Sequence, residues 1–342
     1  MGGLLVDGEW HERWYDTEAS KGRFVRKESQ FRNWITKDGS PGRSGAGGFK
    51  AEHGRYHLYV SLGCPWAHRT LIYRSIKALG GMISLSVTHW LFGPEGWTFE
   101  DAPGVIPDTV NGAARLYEIY QRAAPNYTGN VTVPLLWDKA TSTIVSNESS
   151  EIIRMFNSAF DDVGAREGDY YPLHLRNQID KYNDEIYQHV NNGVYRAGFA
   201  TTQEAYEEAV TPLFQTLDRL EQVLAKQRYL CGDVITEADW RLVTTLFRFD
   251  LAYVGQFKCN LRQLVEYPNL WAYTREFYQL PDVRNTINFQ HIRNCYYQSM
   301  KKINPSGIVP IGPMPDFDLS HGRDRPGFTT SGAIAEQAGV LR

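Results

Sequence analysis

The sequence predicts an α/β domain followed by an all-helical one, and three observations carry that expectation. A strand-like run, a helix-like run and a second strand succeed one another over residues 55–87. Two short apolar runs either side of Asp138-Lys139 read as a hairpin that feeds another helix. From about residue 172 onward, apolar residues recur only at helical spacing. The 342-residue chain has the length of about two domains and ample material for a core.

Residues 1–50 form an aromatic-rich lead (Trp10, Trp14, Phe31, Trp34) that ends in a glycine-rich loop at 38–48. Its tryptophans predict that it packs against the body. Arg55-Tyr56-His57-Leu58-Tyr59-Val60 then alternates as a strand does, and Trp66 to Leu79 carries apolar residues at helical spacing. Ile83 to Val87 makes the second strand of a βαβ unit. An irregular stretch follows at about 90–128, a length that is usually functional. Residues 131–137 and 142–145 form the hairpin, and Ser146 to Ser149 opens a helix whose apolar face is Ile152, Ile153 and Phe156. The order β-α-β-insert-β-β-α is that of a thioredoxin-like fold.

The junction between the first strand and helix holds Cys64. Pro65 suits the first helical position, where its missing N–H costs nothing, so Cys64 falls at the N-cap. There it faces unpaired backbone N–H groups and the positive end of the helix dipole, which favour thiolate. Helix N-termini can lower a cysteine from about 8.5 into roughly 3.5–7.5. Cys64 therefore reads as a nucleophile rather than a small buried hydrophobe. Position 67 is Ala where a dithiol motif has its second cysteine, so a mixed disulfide on Cys64 needs a thiol from elsewhere, with glutathione the natural candidate.

Pro134 sits where a central strand does not tolerate proline. Either 131–137 is an edge strand, or the Val133–Pro134 bond is cis at a deliberate turn. The order of elements favours the second, because in thioredoxin-like folds such a cis-proline faces the active cysteine and the residue before it, here Val133, offers its backbone to an extended peptide.

In the helical half, Leu175, Ile179, Tyr182, Ile186 and Val190 share one face, and Tyr206 to Leu224 forms another amphipathic run, kinked at Pro212. Thr236 and Asp239 make a capping box before a third helix marked by Leu242, Leu246, Phe249 and Tyr253. Pro268 and Pro281 punctuate two more. The predicted organisation is an extension at 1–50, a domain at 51–165, a helical domain with its extension at 170–328, and a loosely held tail at 329–342.

A net charge of −3 gives no sign of a nucleic-acid or acidic-membrane partner. Four cysteines, at 64, 231, 259 and 295, show neither metal-ligand spacing nor a disulfide framework, so no metal and a reducing compartment, the cytoplasm, are expected. The start has no basic n-region, and no run approaches the ~20 apolar residues of a membrane span.

A thioredoxin-like domain followed by a helical one with the Gly232-Asp233…Thr236-x-x-Asp239 box resembles the glutathione transferase superfamily. Tyr59 to Thr70, Gly96 to Phe99, Thr132-Val133-Pro134, Ile144 to Ile153, Val190 to Tyr195, His291 to Tyr296 and Ile303 to Gly307 resemble the glutathionyl-hydroquinone reductases, the Xi class. Two positions depart: Gly63 stands where the motif commonly has Ala, and Asn130 where a basic residue is expected. The resemblance implies Cys64 as nucleophile and a glutathione site made of Trp97, Val133, Pro134, Glu148 and Ser149. It further implies Tyr195 and Tyr296 at the hydroquinone, and a homodimer. From the residues alone, Glu148 and Ser149 are equally well helix caps, each tyrosine is more at home in a core, and His68 and Arg69 sit on a packed or solvated helix face. The implied activity is glutathione-dependent reduction of glutathionyl-hydroquinones through a Cys64–glutathione mixed disulfide. The rival is an omega-like thiol transferase or dehydroascorbate reductase using the same cysteine.

Overall fold

The computed structural model describes residues 3–13 and 15–324, so Trp14 and the tail at 329–342 lie outside the described residues. The chain forms two compact units. The first holds the described residues up to Tyr15, then Lys27–Glu167 and Thr286–Ile308; the second holds Asp16–Arg26, Gly168–Asn285 and the described residues from Val309.

The first unit opens with a hairpin, β1 (Gly3–Val6) and β2 (Glu9–Glu12). Its central sheet uses β3 (Tyr56–Val60) and β4 (Ile83–Val87), which pair in parallel around helix α1 (Pro65–Ile76). α1 stops where Ala78 takes a left-handed conformation, φ 53°. The expected irregular stretch is more ordered than its sequence implies. It contains the short ribbon β5 (Phe92–Gly93) and β6 (Gly96–Trp97) and helix α2 (Leu116–Ala123), and β7 (Gly129–Asn130) follows at its end. Leu116, Ile119 and Tyr120 bury one face of α2, which is enough to hold an eight-residue helix. β7 pairs with β1, tying the N-terminal hairpin to this unit.

The second half of the sheet is β8 (Leu135–Asp138) and β9 (Thr143–Ser146), leading into α3 (Ser149–Ser158). The sheet order is β4-β3-β8-β9, with β8 antiparallel to β3. The predicted first strand of the hairpin is corrected: residues 131–134 lie outside it, and β8 begins only after Pro134. Proline cannot donate to a ladder, and Thr132 bonds to a side chain instead of a strand. Ile152, Ile153 and Phe156 are fully buried, as the periodicity of this helix requires, and α3 packs against α1.

The second unit is helical: α4 (Arg176–Glu185), α5 (Gly193–Gly198), α6 (Gln203–Leu224), α7 (Glu237–Leu246), α8 (Val254–Gln256), α9 (Pro268–Gln279) and α10 (Pro281–Arg284). α11 (Phe289–Ser299) belongs to the first unit. Two helices expected to run through are instead relieved by π-turns at Ile186–Asn191 and Phe249–Tyr253. α6 continues through Pro212 as one helix. The capping box forms as the sequence requires: the Asp239 carboxylate accepts from the Thr236 N–H at 2.8 Å, and also from the Leu230 N–H and the Tyr273 hydroxyl. Among the described residues, no helix is long and apolar enough to cross a membrane.

Candidate active site

Cys64 is the N-cap of α1, in extended backbone (φ −82°, ψ 123°), with Pro65 as the first helical residue. Its carbonyl accepts from His68 N–H at 3.0 Å, closing the first helical turn. The N–H groups at the start of a helix have no acceptor within it, and Pro65 removes one of them, so the positive end of α1 is built around residue 64. The Cys64 thiol donates to the Val133 carbonyl at 3.6 Å, and the Val133–Pro134 bond is cis. The cysteine and the proline segment are thus brought together.

That segment is held by groups the sequence did not single out. The Tyr120 hydroxyl donates to the Thr132 carbonyl at 2.9 Å and accepts from the Thr132 N–H at 3.2 Å. Asn147 Nδ2 donates to the same hydroxyl at 3.2 Å. Asn147 Oδ1 in turn accepts from the Phe31 N–H, and the Asn147 N–H donates to the Phe31 carbonyl. One buried phenol therefore takes the place of a strand neighbour for Thr132. Only its amphipathic position on α2 could have drawn attention to it.

Glu148 is the N-cap of α3; its Oε1 accepts from the Ser150 N–H (2.9 Å) and hydroxyl (2.8 Å), while Oε2 accepts from the Ser29 hydroxyl at 3.1 Å. The capping role expected from the residues is present. A carboxylate has about four lone-pair sites, so capping leaves acceptor capacity for an ammonium. Ser149 is buried at the first position of α3. In the same first turn, Glu151 forms a bidentate pair with Arg32.

Trp97, in β6, is buried and meets the Phe92 ring edge-on at 5.0 Å. Tyr296 is buried in α11, within the unit that carries Cys64. Its neighbour Cys295 explains the glycine at 63: a Cβ there would lie 2.5 Å from Cys295 Cβ and 2.7 Å from its Sγ. His68 Nε2 bonds to the Thr286 hydroxyl at 2.8 Å, and the Arg69 guanidinium lies over the Trp66 ring at 4.7 Å; both residues are buried, the packed-face alternative. Tyr195 belongs to the second unit, where it is buried among Phe199, Tyr253 and Phe257 at centroid distances of 5.9, 6.1 and 5.5 Å. Among the described residues, no group of three or more His, Cys, Asp or Glu could hold a metal.

A mixed four-stranded sheet with a cysteine at a helix N-cap beside the Val133 carbonyl, together with a helical unit, is the arrangement that the resemblance to the glutathione transferases implies. The family comparisons agree in detail. The glutathione S-transferase N-terminal domain matches residues 63–159, and the C-terminal domain matches residues 203–276. The glutathionyl-hydroquinone reductase YqjG of Escherichia coli is 57% identical over 323 residues, 94% of this chain and 98% of that protein. The glutathionyl-hydroquinone reductase PcpF of Sphingobium chlorophenolicum is 54% identical over 311 residues, 91% of this chain and 96% of its own length. The glutathione-bound structure of YqjG superposes with a TM-score of 0.88 at 55% identity, covering 94% of this chain and 99% of that one. An Xi-class glutathione transferase from Natrialba magadii superposes with a TM-score of 0.86 at 45% identity, covering 94% and 96%. The chain belongs to the Xi class of the glutathione transferases.

Proposed function

We propose that this protein reduces glutathionyl-hydroquinones to hydroquinones at the expense of glutathione. The observation that carries the reading is Cys64 at the α1 N-cap against the Val133 carbonyl, with Ala67 in place of a second cysteine. The names of the two curated relatives supply the substrate class.

The Cys64 thiolate attacks the sulfur of a glutathionyl-hydroquinone. The sulfur–carbon bond breaks, the ring carbon takes a proton, and hydroquinone leaves a Cys64–glutathione disulfide. Tyr296 or Tyr195 supplies or relays that proton, a phenol being able to hydrogen-bond the ring oxygens as well. A second glutathione, as thiolate, attacks the glutathionyl sulfur of the adduct, releasing glutathione disulfide and restoring Cys64. The scheme is ping-pong and needs no second protein thiol. Val133 and Pro134 hold the glutathione peptide, Trp97 covers it, Glu148 takes the α-ammonium, and the α3 N-terminus with Ser149 takes a carboxylate. A homodimer and a cytoplasmic location belong to the same proposal and rest on the family and on cysteine usage.

The test is hydroquinone release from a glutathionyl-hydroquinone with added glutathione, comparing wild type with Cys64→Ser. Release that disappears in the variant supports the reading. Release that survives it overturns the role of Cys64, and reduction of small glutathione disulfides or dehydroascorbate without any hydroquinone release transfers the assignment to an omega-like thiol transferase.

A further inference from the structure

The N-terminal hairpin carries a tryptophan that none of the roles above uses. β5 and β6 are two residues each, far too short to stand as an isolated ribbon. Something outside must hold the turn between them, and with it Trp97. Trp10 does so from β2. Its indole N–H donates to the Pro94 carbonyl at 2.7 Å. Its ring stacks on Tyr117 of α2, 5.0 Å between centroids at 17°, and lies 6.4 Å from the Phe92 ring that meets Trp97 edge-on. The opposite edge of the ribbon is so close that a Cβ at Gly96 would stand 2.8 Å from the Trp10 ring, and Gly96 takes φ 74° there. Glu95, at the tip of the turn, pairs with Arg115.

The hairpin is itself anchored on the segment that leads to Val133. β1 pairs with β7, the Gly8 N–H donates to the Tyr127 carbonyl at 3.1 Å, and Gln121 Nε2 donates to the Gly8 carbonyl at 2.7 Å. One short hairpin therefore spans α2, the Trp97 ribbon and the strand entering the proline segment.

We propose that Trp10 is a positioning residue for the glutathionyl group, fixing the 93–96 turn so that the Trp97 indole is in place before the substrate arrives. The proposal rests on Trp97 as a glutathione contact. Because the same peptide portion enters in both half-reactions, the effect falls on glutathionyl-hydroquinone and glutathione alike. It does not reach the thiol chemistry at Cys64.

The experiment compares Trp10→Phe, Trp10→Ala and Trp97→Ala by the KM values for both substrates, by kcat, and by the rate at which iodoacetamide alkylates Cys64. Trp10→Phe keeps an aromatic ring and loses one hydrogen bond, so both KM values should rise about fivefold with kcat little changed. Trp10→Ala should raise them further, towards the values of Trp97→Ala. Alkylation should stay at the wild-type rate in all three, since that reagent has no peptide to bind. Raised KM values in Trp97→Ala beside wild-type values in both Trp10 variants would overturn the proposal alone. Wild-type KM values in Trp97→Ala would instead overturn the role of Trp97, and the proposal with it. A collapse in kcat and alkylation together in Trp10→Phe would show a general structural role and also overturn it.

Discussion

Cys64 is set apart from the other three cysteines by its surroundings rather than by its type. It is half-buried at a helix N-terminus, whereas Cys231, Cys259 and Cys295 are buried. Burial pushes the Cys231 thiol up to about 12 and that of Cys259 higher still, so neither offers thiolate at neutral pH. Limited iodoacetamide at pH 7 should therefore label Cys64 first, read by peptide mass; labelling of Cys231 or Cys259 at a comparable rate would refute this. Glu148 caps α3, and variants separate that role from the proposed one of taking the glutathione ammonium. Glu148→Gln keeps an acceptor for the Ser150 N–H, while Glu148→Ala removes the cap and should cost about 1 kcal/mol in urea unfolding. Both should raise the KM for glutathione if the proposal holds, because both lose the charge proposed to meet its ammonium. His57 gives a pH signature. Its ring nitrogens bond Ser84 at 2.7 Å and Ser86 at 2.9 Å in the middle of the sheet, and burial pushes its pKa down to about 4. The unfolded chain binds this proton near pH 6.5, so between about 6.5 and 4 it holds more protons than the folded one and stability is lost as the pH falls. The shift corresponds to roughly 3 kcal/mol. Wild type should thus lose its stability advantage over His57→Gln between pH 7 and pH 4.5; a constant difference would contradict the buried neutral imidazole.

At the scale of elements, the 131–134 segment depends on one phenol. Tyr120→Phe would leave the Thr132 carbonyl and N–H and the Asn147 amide short of a partner in a buried site, costing about 1–3 kcal/mol in unfolding. It should also weaken glutathione binding, since the Val133 carbonyl is carried by the same segment. Unchanged stability and KM would mean Thr132 is held by other contacts. The elements that could be read from the sequence were those whose pattern is local: the alternation at 56–60, Pro65 after Cys64, and the Thr236–Asp239 box. Tyr120 escaped because its partners, Thr132 and Asn147, lie in a loop and just before the N-cap of a later helix. α2 escaped because three buried residues in eight make a weak signal, and the π-turns escaped because a period of 3.6 cannot register them. Asp239 shows how a legible box can carry an illegible charge effect. Buried, its carboxyl is pushed up to about 6 despite four hydrogen bonds, so the folded chain takes up a proton as the pH falls below that value. This opposes the His57 effect, and it cancels in the comparison of wild type with His57→Gln, where both proteins keep Asp239.

At the scale of the whole molecule, neither unit is continuous in sequence. Residues 286–308 close the first unit and bring Tyr296 into it, and residues 16–26 are part of the second. Periodicity cannot show such returns, because it reports a helix and not its partner. Gly63 is the case in point: it looked like a departure from a motif, and only the chain 232 residues further on, at Cys295, supplies the reason. The proposed reaction turns on one bond, the disulfide between Cys64 and glutathione. Wild-type protein mixed with a stoichiometric glutathionyl-hydroquinone and no free glutathione should release one hydroquinone per active site. Intact-mass measurement should then show a single glutathionyl adduct on Cys64 that disappears on adding glutathione, with glutathione disulfide as the product. Hydroquinone released with no adduct on Cys64, or an unchanged burst in Cys64→Ser, would contradict the account.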